Sequence, residues 1–332
     1  MLHFNKLPVF FRFVFFYSLS RAIIPYVVWE EADTTKYCKD FITILIYILI
    51  FALILVLIFF IYRESTGYHT VEYNIVTDKH IPTVRIVMLS DLHDTDVTHD
   101  GNSRLLRHID TIDPDFVIFA GDMITSYMEP YSEPKRAYDF IRRLCASHKV
   151  YYGLGNHEQR YREDPDKFPG RFEELERLAT GSGAEFLSDR YADVDGKNIR
   201  IYGYDVPMDN YKRIGAPKLP DDAVCDVFGP VDRDRYNILI AHDPDFFEQY
   251  VNWGPDLILS GHLHGGIVAV PGIGGVISPQ LSLFPKYDFG IYTKNDTTMI
   301  VSRGIGWHSV PIRIFNKAEI VTITISSSSG GE

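Results

Sequence analysis

Five short polar clusters interrupt the apolar stretches of this 332-residue chain: DLHD at 91–94, GD at 121–122, GNHE at 155–158, HDPD at 242–245 and GHLHGG at 261–266. Any one of them alone reads as a turn. Together they supply four imidazoles (His93, His242, His262, His264), two carboxylates (Asp91, Asp122) and one carboxamide (Asn156). Imidazole is the commonest protein metal ligand, and a mixed nitrogen and oxygen donor set suits divalent Mn, Fe or Zn better than the all-oxygen cages of Mg or Ca. Seven donors exceed what one tetrahedral ion needs. They fit two divalent ions about 3.5–4 Å apart, the spacing used for hydrolytic and phosphoryl displacement. Such a pair would lower the pKa of a bridging water, giving hydroxide that attacks phosphorus in line. The spacing of two in Asp91/His93 and His262/His264 puts each pair on one side of an extended backbone, and Gly261, Gly265 and Gly266 keep bulk away from the ligands.

These donors can meet only if the intervening segments bring them together. Each cluster follows an apolar run of strand length: TVRIVMLS, DFVIFAGD, KVYYGLG, YNILIAHD and DLILSGH. Two further segments, HTVEYNIVT and NIRIYGYD, also read as strands. SRLLRHIDTI, PKRAYDFIRRLCAS, RFEELERLATGSGAE and HDPDFFEQYV carry helical spacing, the third closed by glycines. After residue 280 short strands dominate: LSLFP, FGIYT, TMIVSRG and EIVTITI. Strands alternating with helices imply an α/β domain, and in such sheets ligands bind beyond the carboxyl ends of the strands. No internal repeat is visible.

The ordered set DLH, GD, GNHE, H and GHLH resembles the calcineurin-like metallophosphoesterase superfamily over roughly residues 83–325. The resemblance implies an α/β fold in which two β-sheets form a sandwich flanked by helices. It implies that Asp91, His93, Asp122 and His264 hold one ion, that Asp122, Asn156, His242 and His262 hold the other with Asp122 bridging, and that His157 assists the leaving group. Leu263 stands where the family often has Thr, at a position that is not a ligand. Phosphoprotein phosphatases of the superfamily carry arginines at places where this chain reads GDMITSY and LGNHE, which argues against a protein phosphomonoester. The GHLHGGIVAVPGIGG and RGIGWHSVPIRIFNKAEIVTITI segments are similar to a membrane-anchored bacterial branch. Its relatives include UDP-diacylglucosamine pyrophosphatases and less defined phosphodiesterases.

An anchor is legible in the first 63 residues. Residues 41–62, FITILIYILIFALILVLIFFIY, hold no charge between Asp40 and Arg63. As a helix they span about 33 Å, the thickness of a bilayer's hydrocarbon core. Residues 8–29 are apolar and aromatic but interrupted by Arg12 and Arg21; they read as a second crossing or an interfacial segment within 1–40. For a single crossing, Arg21, Lys36 and Lys39 before it and Arg63 and Lys79 after it lean the large domain towards the outside; a two-helix hairpin would return both ends to the cytoplasm. The catalytic domain is expected at 69–325, with a polar tail at 326–332.

Beyond residue 63 the chain carries 27 Lys/Arg against 40 Asp/Glu, a net of −13, which disfavours nucleic acid as a partner. Cys38, Cys145 and Cys225 form no CxxC, so no disulfide framework or thiolate zinc cluster is read. The expected function is a membrane-anchored phosphohydrolase acting on a phosphodiester or pyrophosphate, in a small or lipid-linked substrate. Arg303, His308 and Arg313 are candidate phosphate contacts, and Phe284, Tyr287, Phe289 and Trp307 could border the substrate or simply pack. The alternatives are a phosphomonoesterase of the same fold and a metal-bound sensor or scaffold. Dinuclear iron oxygen chemistry ranks last, since its carboxylates normally come from helices.

Overall fold

The computed structural model describes residues 34–126, 133–212, 215–266, 268–270, 274–277, 283–307 and 313–328. The apolar segment 8–29 and His308 lie outside these residues. The chain divides into two units, Met1–Leu57 and Ile58–Glu332.

A single long helix, α1 (Thr34–Ser65), carries the uncharged run. Its side chains from Phe41 to Phe59 are almost all exposed apolar groups, with no polar stripe. Lys39–Ser65 is long and apolar enough to cross a membrane. Just beyond its end Gly67 adopts φ 75°, the left-handed conformation with which helices commonly stop.

The second unit contains the strands β1 (Tyr68–Thr77), β2 (Val84–Leu89), β3 (Phe116–Ala120), β4 (Val150–Gly153), β5 (Glu185–Leu187), β6 (Arg190–Val194) and β7 (Ile199–Tyr204). It continues with β8 (Tyr236–Ala241), β9 (Leu257–Ser260), β10 (Val268–Val270), β11 (Gly274–Ile277), β12 (Gly290–Lys294), β13 (Thr297–Val301) and β14 (Ala318–Ser327). The helices are α2 (Ser103–Ile112), α3 (Lys135–Cys145), α4 (Asn156–Glu163), α5 (Arg171–Gly181), α6 (Ala223–Phe228) and α7 (Phe247–Trp253). LSLFP forms no strand where it is described; Leu283 makes only an isolated bridge to Ile277.

Two six-stranded sheets result, ordered β1-β14-β2-β3-β4-β5 and β12-β13-β9-β8-β7-β6, with β10 and β11 as a separate hairpin. The central strands β2, β3 and β4 run parallel, as do β7, β8 and β9. Both faces of these strands are covered, which is why they read as continuous apolar runs rather than alternating ones. Along β2, Ile86 and Met88 enter one core with Ile118, Ile201, Ile238, Ile240 and Leu259, between the two sheets. Val87 and Leu89 point the other way, into a core shared with Leu105, Ile109, Phe140, Ile141 and Leu175 of α2, α3 and α5. A third core sets Leu239, Ile258 and Met299 against Phe247, Tyr250 and Trp253 of α7. The layers are therefore helices, sheet, sheet, helices, and the α/β two-sheet sandwich expected from the sequence is what the chain forms. Emptying the site of one inter-sheet ring, such as Phe116, would cost about 3–5 kcal/mol.

Candidate metal centre

All five polar clusters leave the carboxyl ends of central strands: Asp91 after β2, Asp122 after β3, Asn156 after β4, His242 after β8 and His262 after β9. The Asp91 N–H donates to the Gly121 carbonyl (3.0 Å), and the Gly261 N–H donates to the His242 carbonyl (3.0 Å). Across the sandwich, His242 Nδ1 donates to the Ala120 carbonyl at 2.6 Å. That bond points His242 Nε2 at the centre, where the neutral ring would offer its lone pair to a cation, the usual arrangement of a metal-binding histidine.

The convergence is close. Asp91, His93 and His264 offer ligand atoms within 4.8 Å of one another; so do Asp122, His242 and His262, and so do His93, Asp122 and His157. His264 Nε2 lies 3.2 Å from Asp91 Oδ1 and 3.0 Å from His93 Nε2. Asp122 Oδ1 accepts the His157 N–H at 2.8 Å. Its other oxygen, Oδ2, sits 3.1 Å from His242 Nε2 and 3.9 Å from both His93 Nε2 and His157 Nε2. Asp122 thus stands between the groups on either side, and all these side chains are buried.

The backbone reaches this arrangement by a route other than the extended one expected. Asp91 (φ 55°), His93 (49°), Asp122 (54°), His262 (70°) and His264 (51°) all adopt left-handed conformations. The paired ligands face one way because the chain curls beyond each strand end, not because a strand of period two continues. A non-glycine residue there costs about 1–3 kcal/mol, and such residues cluster at functional sites.

Electrostatics press in the same direction. Burial, moderated by the charge of His242, pushes Asp91 up to about 6. Burial would raise Asp122 too, but the charges of His242 and His157 hold it well below the carboxylate range. Burial should lower His242, yet the charge and hydrogen bond of Asp122 push it up to about 10. The cluster demands positive charge, and a cation meets that demand as well as a proton does. Asn156 Oδ1 is buried without a hydrogen-bond donor among the described residues, an expensive state for an amide oxygen unless it meets a ligand such as a cation. A Cβ at Gly155 would collide with the Asp122 carboxylate, so only glycine lets the start of α4 approach that closely. The residues fit divalent metal.

Three supports were not read from the sequence. Glu158, wholly buried, accepts from Asp122 N (2.9 Å), Met123 N (2.8 Å), Ile124 N (3.2 Å), Gly155 N (3.0 Å) and the Tyr152 hydroxyl (2.9 Å). Its place three residues after Gly155, at the start of a helix, is a capping signature that a reader could have used. Ser126 donates its N–H to His157 Nδ1 at 2.7 Å, so the neutral ring carries its proton on Nε2, the nitrogen nearer Asp122. Arg313 is buried and donates to the carbonyls of Arg303 (2.9 Å), Gly304 (3.2 Å), Gly306 (2.7 Å) and Asn316 (3.2 Å). Gly306 N–H in turn donates to the Asp91 carbonyl (2.9 Å), and Ser65 Oγ accepts the Arg313 N–H (2.9 Å).

Of the expected phosphate contacts, Arg313 is therefore spent on backbone carbonyls. The Arg303 guanidinium lies over the Phe289 ring, 3.7 Å from its centroid, and 3.5 Å from Glu319. Tyr287 is buried against Phe247 and Tyr292, whereas Phe284 is exposed. Trp307 approaches His99, with 6.4 Å between ring centroids.

Comparison with known proteins agrees with this geometry. The sequence model of a family described as calcineurin-like phosphoesterase matches residues 84–266. An uncharacterized metallophosphoesterase of Bacillus subtilis (strain 168), YkuE, is 28% identical over 253 residues, covering 74% of this chain and 79% of that one. A Campylobacter jejuni uncharacterized metallophosphoesterase, Cj0846, is 28% identical over 73% of this chain and 59% of its own. A Danio rerio transmembrane protein with metallophosphoesterase domain is 26% identical over 74% of this chain and 54% of its own. The chain thus spans a little over half the length of the last two.

Proposed function

The chain belongs to the calcineurin-like phosphoesterases, metal-dependent phosphoester hydrolases, and from that premise we propose that it is a membrane-anchored enzyme that holds two divalent cations and cleaves a phosphodiester or pyrophosphate bond. The observation that carries the reading is the position of Asp122, whose Oδ2 faces His242 on one side and His93 on the other. In this reading Asp91, His93, Asp122 and His264 hold one cation, and Asp122, Asn156, His242 and His262 hold the second. Mn, Fe or Zn all suit this donor set. When bound, such a pair activates water as a nucleophile and offsets charge on the phosphoryl oxygens.

The chain's own residues do the rest. His242 is oriented by its Nδ1 bond to Ala120 and Asp91 by Ser90 Oγ at 2.6 Å. His157 is held by Ser126, so that its Nε2–H would offer a hydrogen bond to the oxygen leaving phosphorus and, once the ring is protonated, would supply its proton. The carboxylates also hold the histidine segments in place: Asp91 accepts the His262 N–H at 3.1 Å and Asp122 the His157 N–H at 2.8 Å. A diester or pyrophosphate is favoured because the chain lacks the arginines that grip a protein phosphomonoester, reading GDMITSY and LGNHE instead. The apolar helix favours a substrate at the bilayer, small or lipid-linked.

The test is a panel assay of the full chain in detergent with Mn added. Bis-p-nitrophenyl phosphate and nucleotide-sugar lipids should be cleaved, and p-nitrophenyl phosphate only slowly. Cleavage of monoesters alone would overturn the diester assignment; no turnover of any ester with both metal shells filled would favour a sensor or scaffold.

A further inference from the structure

The chain leaving β7 enters a short 3-10 turn, Met208–Tyr211, that no spacing rule marks as functional. Tyr211 packs edge-on against the His262 ring, with 4.9 Å between centroids. His262 in turn meets His242 at 5.2 Å. The Tyr211 hydroxyl is buried and has no hydrogen-bond partner among the described residues. That is unusual, because a buried phenol normally finds one. The group is an O–H donor set beside the ring of an expected ligand.

A donor of this kind suits an incoming acceptor oxygen. We propose that the Tyr211 hydroxyl is a substrate contact, donating a hydrogen bond to a non-bridging oxygen of the phosphoester bound on the side of the site formed by Asp122, His242 and His262. The inference rests on the phosphoesterase reading above and names a residue which that reading does not need. The orphaned donor explains why a tyrosine, rather than a phenylalanine of the same shape, stands against His262: an unmet hydroxyl is a cost unless a ligand completes it.

Tyr211→Phe removes the oxygen and keeps the ring on His262. In the full chain loaded with Mn, the variant should retain wild-type metal content. Its kcat/KM on bis-p-nitrophenyl phosphate should fall at least about ten-fold, equal to about 1.4 kcal/mol. Its affinity for inorganic phosphate, measured by calorimetry, should fall in parallel. Wild-type kcat/KM together with wild-type phosphate affinity would overturn the proposal. So would a loss of Mn, because Tyr211 would then act only through His262. Phosphate binding needs no turnover, so a wild-type protein that binds phosphate but cleaves nothing would sink the enzymatic reading and still leave Tyr211 testable.

Discussion

Glu158 is where the site's rigidity can be measured. Its two oxygens take five donors: Oε1 from Met123 N, Ile124 N and Tyr152 Oη, Oε2 from Asp122 N and Gly155 N. Glu158→Gln keeps the shape and replaces one oxygen with an NH2. If that NH2 takes the Oε1 place, the Tyr152 hydroxyl can rotate to accept from it, but the Met123 and Ile124 amides face another donor. If it takes the Oε2 place, the Asp122 and Gly155 amides do. Either orientation strands two buried N–H groups. At ~1–3 kcal/mol each, the variant should lose ~2–6 kcal/mol, a large part of the ~5–15 kcal/mol that typically holds a domain together. Removing a buried charge next to Asp122 returns some of this, so the lower half of that range is expected. Burial and the Asp122 charge push Glu158 up to about 7, so the comparison belongs at about pH 8.5, where the side chain is the carboxylate. Thermal unfolding of the full chain in detergent should show Tm lower by at least roughly 4 °C. Metal content should fall as well, because the displaced amides carry Asp122. An unchanged Tm and full metal occupancy would refute the claim that this carboxylate sets the position of Asp122.

Other outcomes can be checked alongside. Asp122→Ala should lose both activity and bound metal, whereas His157→Ala should keep its metal and lose most turnover; elemental analysis beside an esterase assay separates the two. Gly306→Ala places a methyl against the Leu92 carbonyl and 2.9 Å from the Asp91 carbonyl, so it should lower Mn affinity, measured by titration, without touching any donor atom. Burial, then the charge of Asp189, raises Asp205 from 3.8 to about 6. The folded state therefore binds more protons than the unfolded chain between those values, and stability from this group grows as pH falls from about 6 towards 4. Unfolding curves for wild type and Asp205→Asn should diverge over that window and run parallel above it; curves parallel throughout would contradict the assignment. Chelation of the wild type should abolish turnover and lower Tm, with Mn restoring both, since an ion that binds only the folded state stabilises it.

The converging polar side chains were legible because metal chemistry restricts residue types and because each cluster followed an apolar strand. The strands were legible for the opposite reason: Val84–Leu89 and Phe116–Ala120 are buried on both faces, so their sequences contain almost nothing else. The spacing rule pointed to residues that do converge, but for an incomplete reason. Asp91 and His93 converge through left-handed turns, which a pattern of alternating side chains does not encode. The supports were hidden by distance. Arg313 and Ser65 lie 248 positions apart, and Ser126 reaches His157 across 31. A serine in a loop or an arginine near a terminus carries no local sign of such a partner. Tyr211 was invisible in another way, since a tyrosine after a strand most often packs into a core.

The Ser65–Arg313 bond fixes where this molecule can be cut. Ser65 is the last residue of the apolar helix, yet its hydroxyl accepts from the arginine whose guanidinium secures Gly304 and Gly306 behind Asp91. A water-soluble fragment that starts at the first strand would discard that serine and loosen the floor beneath one ligand, losing activity for reasons unrelated to lipid. Trimming should therefore stop upstream of Ser65, leaving the hydroxyl in place while shedding the greasy turns before it.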